Sequence, residues 1–179
     1  MKRLLMLLLC ITACFCFAAC GKNETTENGS TQSSGTNADM VDDAESYVFA
    51  YNGVEFSVNQ DMAKVLPLLG EPVNYYEAAS CAFEGLDKIY TYASFQIDTF
   101  PSGGTDIIAS IYFRDDLVKT QEGVSLYMNK ADMIKAYGQP MENNGTAHIY
   151  QKGNGTLRFI LNDSEEIISI EYQTVVTYK

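Results

Sequence analysis

Gly53-Val54-Glu55-Phe56-Ser57-Val58-Asn59 and Gly123-Val124-Ser125-Leu126-Tyr127-Met128-Asn129 are two versions of one phrase, and the residues after each are alike too. Short amphipathic segments come next, Asp61 to Leu69 and Lys130 to Tyr137, and both run into Gly-x-Pro, at Gly70-Glu71-Pro72 and Gly138-Gln139-Pro140. Asn59 or Asp61 in the first copy, and Asn129 in the second, offer a side-chain oxygen to the orphan amides of a helix start. Glycine in the left-handed conformation would end each helix, and proline prevents its continuation. Two short helices are predicted, in corresponding positions of an internal repeat with a period of about sixty to seventy residues.

Strand patterns come after each stop. In the first copy they are Lys88 to Tyr92, Phe95 to Phe100 and Asp106 to Phe113, the last two joined by Pro101-Ser102-Gly103-Gly104. In the second copy Ala147 to Lys152 and Thr156 to Leu161 flank the hairpin signal Gly153-Asn154-Gly155, and Glu166 to Tyr172 comes after the turn Asn162 to Glu165. Ile168, Ile170 and Tyr172 fall on one face of that strand, Ser169 and Glu171 on the other. Asp106-Ile107-Ile108-Ala109-Ser110-Ile111-Tyr112 echoes Glu166-Ile167-Ile168-Ser169-Ile170-Glu171-Tyr172. The expected class is α+β: two tandem helix-plus-antiparallel-meander repeats, about 53–116 and 123–173, forming one sheet with helices on one face. A strand pair around Asn52-Gly53, Tyr47 to Tyr51 with Val54 to Val58, is expected to extend an edge of that sheet. Each unit alone would be marginal in size, which favours a single fused core over 47–179.

The amino-terminal part reads differently. Met1-Lys2-Arg3 is a short basic start, and Leu4 to Phe17 is an uncharged apolar run of secretory length, too short to span a bilayer comfortably. Residues 1–19 read as a signal peptide. Ala18-Ala19-Cys20-Gly21 resembles the lipobox of bacterial lipoproteins, with Phe17 standing where leucine is usual. That resemblance implies a diacylglycerol on the Cys20 thiol and a cut in front of it. Residues 20–46 are then the lipidated cysteine and a disordered tether, since the polar run from Lys22 to Ser46 cannot bury enough surface to offset its ordering entropy. Its acidic end, Asp39, Asp42, Asp43 and Glu45, reads as a solvated charge run. The expected location is the cell membrane, lipid-anchored and facing away from the cytoplasm.

Of five cysteines, Cys10, Cys14 and Cys16 leave with the signal peptide and Cys20 is acylated, so Cys81 stands alone, expected as a small buried hydrophobe. The formal charge of −11 becomes −13 once Lys2 and Arg3 are removed, a balance that repels phosphodiesters and argues against nucleic acid as a partner.

The helix-and-meander pattern over Tyr47 to Tyr172 resembles the tandem-repeat fold of the beta-lactamase inhibitory proteins, and the single unit is similar to the small outer-membrane-assembly lipoproteins of the SmpA/OmlA type. The wording of Phe83-Glu84-Gly85-Leu86-Asp87-Lys88 and of Arg114-Asp115-Asp116 resembles lipoproteins of low-GC Gram-positive bacteria. The inhibitory proteins carry intradomain disulfides, which a single Cys81 cannot form. The resemblance implies a fold, and one of its members' activities, inhibition of an extracellular or periplasmic hydrolase, is an alternative function.

Catalytic sets are scarce. His148, the sole histidine, sits in an alternating strand and is expected to be partly exposed. One histidine and one unlipidated cysteine build neither a zinc site nor a cysteine cluster. Asp115-Asp116 and Glu165-Glu166 point apart as sequence neighbours, and Asp163 with Glu165 and Glu166 lacks the order of a calcium loop. A Cys81–His148 dyad would require the two to meet across the sheet. No metal, cofactor or catalytic residue is expected, and a carboxylate- or cysteine-dependent enzyme is the second alternative. Tyrosine remains: Tyr90, Tyr92, Tyr112, Tyr150 and Tyr172 all fall in predicted strands, as a candidate binding face for a protein or envelope partner. The leading expectation is a lipid-anchored, non-catalytic binding or scaffold protein.

Overall fold

In the computed structural model, which describes residues 46–175, both predicted helices form where the caps and stops place them. The first, α1, spans Met62–Leu69; Asp61 caps it, its carboxylate accepting from the Ala63 amide at 2.9 Å. The second, α2, spans Lys130–Tyr137, and Asn129 accepts from the Asp132 amide at 3.0 Å. The stops depart from expectation in one respect. Gly70 (φ 76°, ψ −168°) and Gly138 (φ 78°, ψ −157°) are not in the left-handed helical region but in an extended mirror region that is essentially open only to glycine. Each still turns its amide back to the helix, to Leu66 and Ile134 respectively.

Ten strands accompany them: β1 (Phe49–Tyr51), β2 (Val54–Phe56), β3 (Asn74–Ala79), β4 (Leu86–Thr91), β5 (Phe95–Ser102), β6 (Thr105–Phe113), β7 (Glu142–Asn144), β8 (Ala147–Lys152), β9 (Gly155–Leu161) and β10 (Ile167–Thr174). Eight of them form one antiparallel sheet in the order β3-β4-β5-β6-β10-β9-β8-β7. The class is thus mixed, two helices with an antiparallel sheet. Each meander has one strand more than the sequence pattern suggests, because β3 and β7 lie on the outer edges. Their side chains are almost all exposed, so they carry no alternation to read.

The register decides which face is covered. Phe95 pairs with Phe113, Ile97 with Ile111 and Thr99 with Ile108, and Leu157 with Tyr172 and Phe159 with Ile170. These side chains are buried, and Met62 and Val65 of α1 and Met133 of α2 join the apolar ones in one cluster. The strand pair near Asn52-Gly53 is not an edge of this sheet. It forms a separate two-stranded sheet, β1-β2, in which Phe49 pairs with Phe56. Partners opposite each other on one side make a two-ring wedge, which buries far more apolar area on the covered face than at an edge. The Phe49 ring lies 5.4, 5.0, 5.4 and 6.0 Å, centre to centre, from Phe56, Phe95, Phe113 and Tyr172.

The chain leading into each helix is tied to the sheet in the same way. Asn59 donates to the Ile108 carbonyl and Ile108 to that of Gln60, both at 2.9 Å; Tyr127 donates to Ile167 and Ile167 to Met128, both at 2.8 Å. Asn59 and Tyr127 both take positive φ, 71° and 67°. The pairing steps out of register between Asp98 and Thr99, opposite Ser110 and Ile108 of β6, and again between Ile167 and Ser169 on β10. The expected signal peptide (residues 1–19), Cys20 and the acidic run from Asp39 to Glu45 lie outside the described residues.

Candidate functional site

Four of the five strand tyrosines point into the core. Tyr90, Tyr92, Tyr150 and Tyr172 are each at most 6% exposed, whereas Tyr112 is 37% exposed. Parity puts Tyr90 and Tyr92 on one face, as expected, but it is the covered face, so these five tyrosines do not together form an exposed face. Their hydroxyls mostly have structural partners: Tyr92 donates to the Gly70 carbonyl at 3.3 Å and Tyr150 to that of Gly138 at 2.9 Å, fastening each helix end to its meander. Burial pushes the Tyr92 hydroxyl up to about 12, and raises Tyr90, Tyr150 and Tyr172 as well.

Two further expectations are corrected. Cys81 is exposed, because it falls in the β3–β4 connection, where Ser80 closes the turn by donating to the Gly85 carbonyl, and not in a strand. His148 is buried, not half-exposed: it pairs with Phe159 across β8 and β9 and faces the core. The two cannot form a dyad, since β4, β5, β6, β10 and β9 stand between them, about 25–30 Å at the usual strand spacing. The carboxylate pairs hold turns. Asp115 accepts from the Leu117 amide at 3.0 Å, and Glu166 accepts from the Asn162 side chain at 3.0 Å. Glu165 meets Lys130 at 2.7 Å, and that hydrogen bond and charge hold its carboxyl below the usual range. Among the described residues no group of three or more His, Cys, Asp or Glu is placed to hold a metal ion.

The other face, helix-free among the described residues, has a different character. Two polar rows cross its four central strands, one made of Gln96, Tyr112, Glu171 and Arg158, the other of Asp98, Ser110, Gln173 and Thr156. Within them Gln96 donates to Asp98 at 2.8 Å, and Ser110 to the other Asp98 oxygen at 3.4 Å. Arg158 approaches Glu171 to 3.9 Å, and the Ser169 hydroxyl lies 3.4 Å from that of Tyr112. Partial burial raises Asp98 above the ordinary carboxylate range, against the hydrogen bonds from Gln96 and Ser110. It raises Glu171 too, against Gln173 and Arg158. Two half-buried carboxylates beside one guanidinium can recognise a donor-rich or charged surface.

A raised carboxyl favours folding only in its protonated form. Stability contributed by protonated Asp98 is complete below its unfolded value and is lost as pH rises through its folded one. Asp98→Asn, which keeps an acceptor for the Gln96 amide and can donate its own amide to the Ser110 hydroxyl oxygen, should therefore stabilise the domain at pH 7 and have almost no effect near pH 3. Urea denaturation at the two pH values checks this, and an equal gain at both would mean that ionisation of Asp98 is not the cause.

The sequence marks this face only indirectly. Gln96 and Asp98 are the polar members of an alternating strand, and Ser169 and Glu171 share the face opposite Ile170 and Tyr172. Comparison of the chain with family models, with curated proteins and with solved structures finds no match in any of the three.

Proposed function

We propose that this chain is a lipid-anchored binding or scaffold protein, without catalytic activity, acting outside the cytoplasmic membrane. Its fold is read as two tandem helix-plus-meander units joined between β6 and β10. Several matched features support the tandem reading: the carbonyl–amide pairs at Ile108 and Ile167, the helix-end fasteners Tyr92–Gly70 and Tyr150–Gly138, and the pairing irregularity just after Ile108 of β6 and just after Ile167 of β10. The lipobox-like Ala18-Ala19-Cys20-Gly21 supports the anchor.

The observation that carries the binding role is the pair of polar rows on the helix-free face. An uncovered sheet face with no contact to make would be expected to carry fully solvated charges; here Asp98 and Glu171 are half-buried among neighbours that orient them. A protein or envelope partner would complete the desolvation at this face, with Tyr112 and Arg158 as contact residues. The full chain, immobilised and exposed to envelope extract, is expected to retain a partner that the doubly changed Tyr112→Ala, Arg158→Glu chain loses by about tenfold or more. Leu117→Ala, at an exposed position after β6, should retain it. Equal capture by all three chains would remove the helix-free face as the site.

A further inference from the structure

A cleft of about 650 Å³ opens on the helix-bearing side, at the end of the sheet where α1 meets β3, lined by Leu66, Pro67, Gly70, Glu71, Pro72, Tyr75 and Tyr90. The Tyr75 and Tyr90 rings form one wall, 5.1 Å apart and tilted by 50°. The rim is acidic. Glu71 and Glu77 are exposed, with Glu77 accepting from the Tyr75 hydroxyl. Lys88, opposite Glu77 across the β3–β4 pairing, is already held by Asp106 at 2.5 Å.

Beside the cleft lies an edge. β3 is the terminal strand of the sheet and six residues long, whereas the opposite edge, β7, has three and is wholly polar. Val73, just before β3, and Tyr76 within it are exposed. An edge strand presents alternate amides and carbonyls outward and is blunted in most proteins by brevity, lysine or proline. This one has Tyr75 and Tyr76 in its middle and no basic residue.

We propose that the β3 edge and its cleft take an extended peptide segment carrying lysine or arginine. The segment's backbone pairs with β3 as an added strand. One basic side chain lays its methylenes on Pro72 and the tyrosine rings, and its charge meets Glu71 and the ring faces. A second copy of this chain is a poor occupant by charge: its own edge brings the same carboxylates, on a chain whose formal charge is −11. This site is separate from the polar rows, so either can fail without the other.

The test is titration of the isotope-labelled full chain, in detergent micelles, with capped eight-residue peptides followed by amide chemical shifts. A peptide of alternating lysine and valine is expected to shift Gly70, Glu71, Tyr75 and Tyr76 saturably below about 1 mM. The counterpart with glutamate for lysine, and the lysine peptide with alternate backbone nitrogens methylated, should not. Glu71→Gln with Glu77→Gln should weaken the lysine peptide about tenfold while leaving the spectrum otherwise folded. Four results would overturn the proposal: no saturable shift, equal binding of the glutamate peptide, shifts confined to Gln96, Tyr112 and Glu171, or β3 shifts that follow protein concentration alone, which would assign the edge to a second copy.

Discussion

Phe49→Ala is expected to cost the domain about 3–5 kcal/mol, the upper range for truncating a buried aromatic, although the residue belongs to a three-residue strand outside the large sheet. Phe49 is fully buried, and its ring touches Phe56 beside it and Phe95, Phe113 and Tyr172, which come from three different strands. Removing it leaves a cavity at the point where β5, β6 and β10 lean together, and a rigid aromatic wall collapses into such a space poorly. Against a total of about 5–15 kcal/mol for a domain this size, the variant can lie near the unfolding threshold. Phe49→Leu, which keeps most of the volume, should cost about 1.5 kcal/mol or less and remain measurable by urea denaturation. If Phe49→Ala shifts stability by less than about 1 kcal/mol, the β1–β2 hairpin rests on the core without holding it together. The same geometry sets where truncation becomes harmful: loss of residues before Ser46 should be nearly silent, and loss through Phe56 should not.

The second large effect concerns location. Cys20→Ser is expected to move the chain from the membrane fraction to the soluble one, a nearly complete redistribution. Each buried methylene contributes about 0.8 kcal/mol, so a diacylglycerol on one thiol supplies an anchor that serine cannot replace. Among the described residues no helix is long and apolar enough to cross a membrane, which leaves that part of the chain without a helical span to take over. Fractionation of cells, with intact-mass measurement of the unaltered protein, checks both halves of the claim. Membrane retention of the serine variant, or a mature mass without added lipid, would sink the anchor.

The helices and the inner strands were legible in the residues because their signals are local. Asp61 and Asn129 can cap, Gly70 and Gly138 can adopt a backbone conformation closed to other residues, and Phe95, Ile97 and Thr99 alternate with Gln96 and Asp98. Strand parity also assigns Tyr90 and Tyr92 to a common face correctly. What parity lacks is the identity of the covered face, which depends on where α1, α2 and the β1–β2 wedge come to rest. That gap accounts for Tyr90, Tyr92, Tyr150 and Tyr172, expected on a surface and found on the covered face, and for His148, which sits on the same side. β3 and β7 escape a sequence reading for a related reason: a strand exposed on both faces has no period of its own. The polar rows required the pairing of β6 with β10, a contact between residues far apart in the chain, and no short-range pattern encodes it.

The position of β10 also bears on the order in which the domain can be assembled. It is the last strand in sequence among those described, yet it lies between β6 and β9, in the interior of the sheet. Synthesis proceeds from the amino terminus, so β6 gains its β5 neighbour early and waits for its other neighbour until every other described strand has been made. Until then the nascent chain is two incomplete ladders, each with an open hydrogen-bonding margin that water or a chaperone must satisfy. Closure is a long-range event that comes late, and a chain released before Ile167 would lack the strand that turns two half-sheets into one.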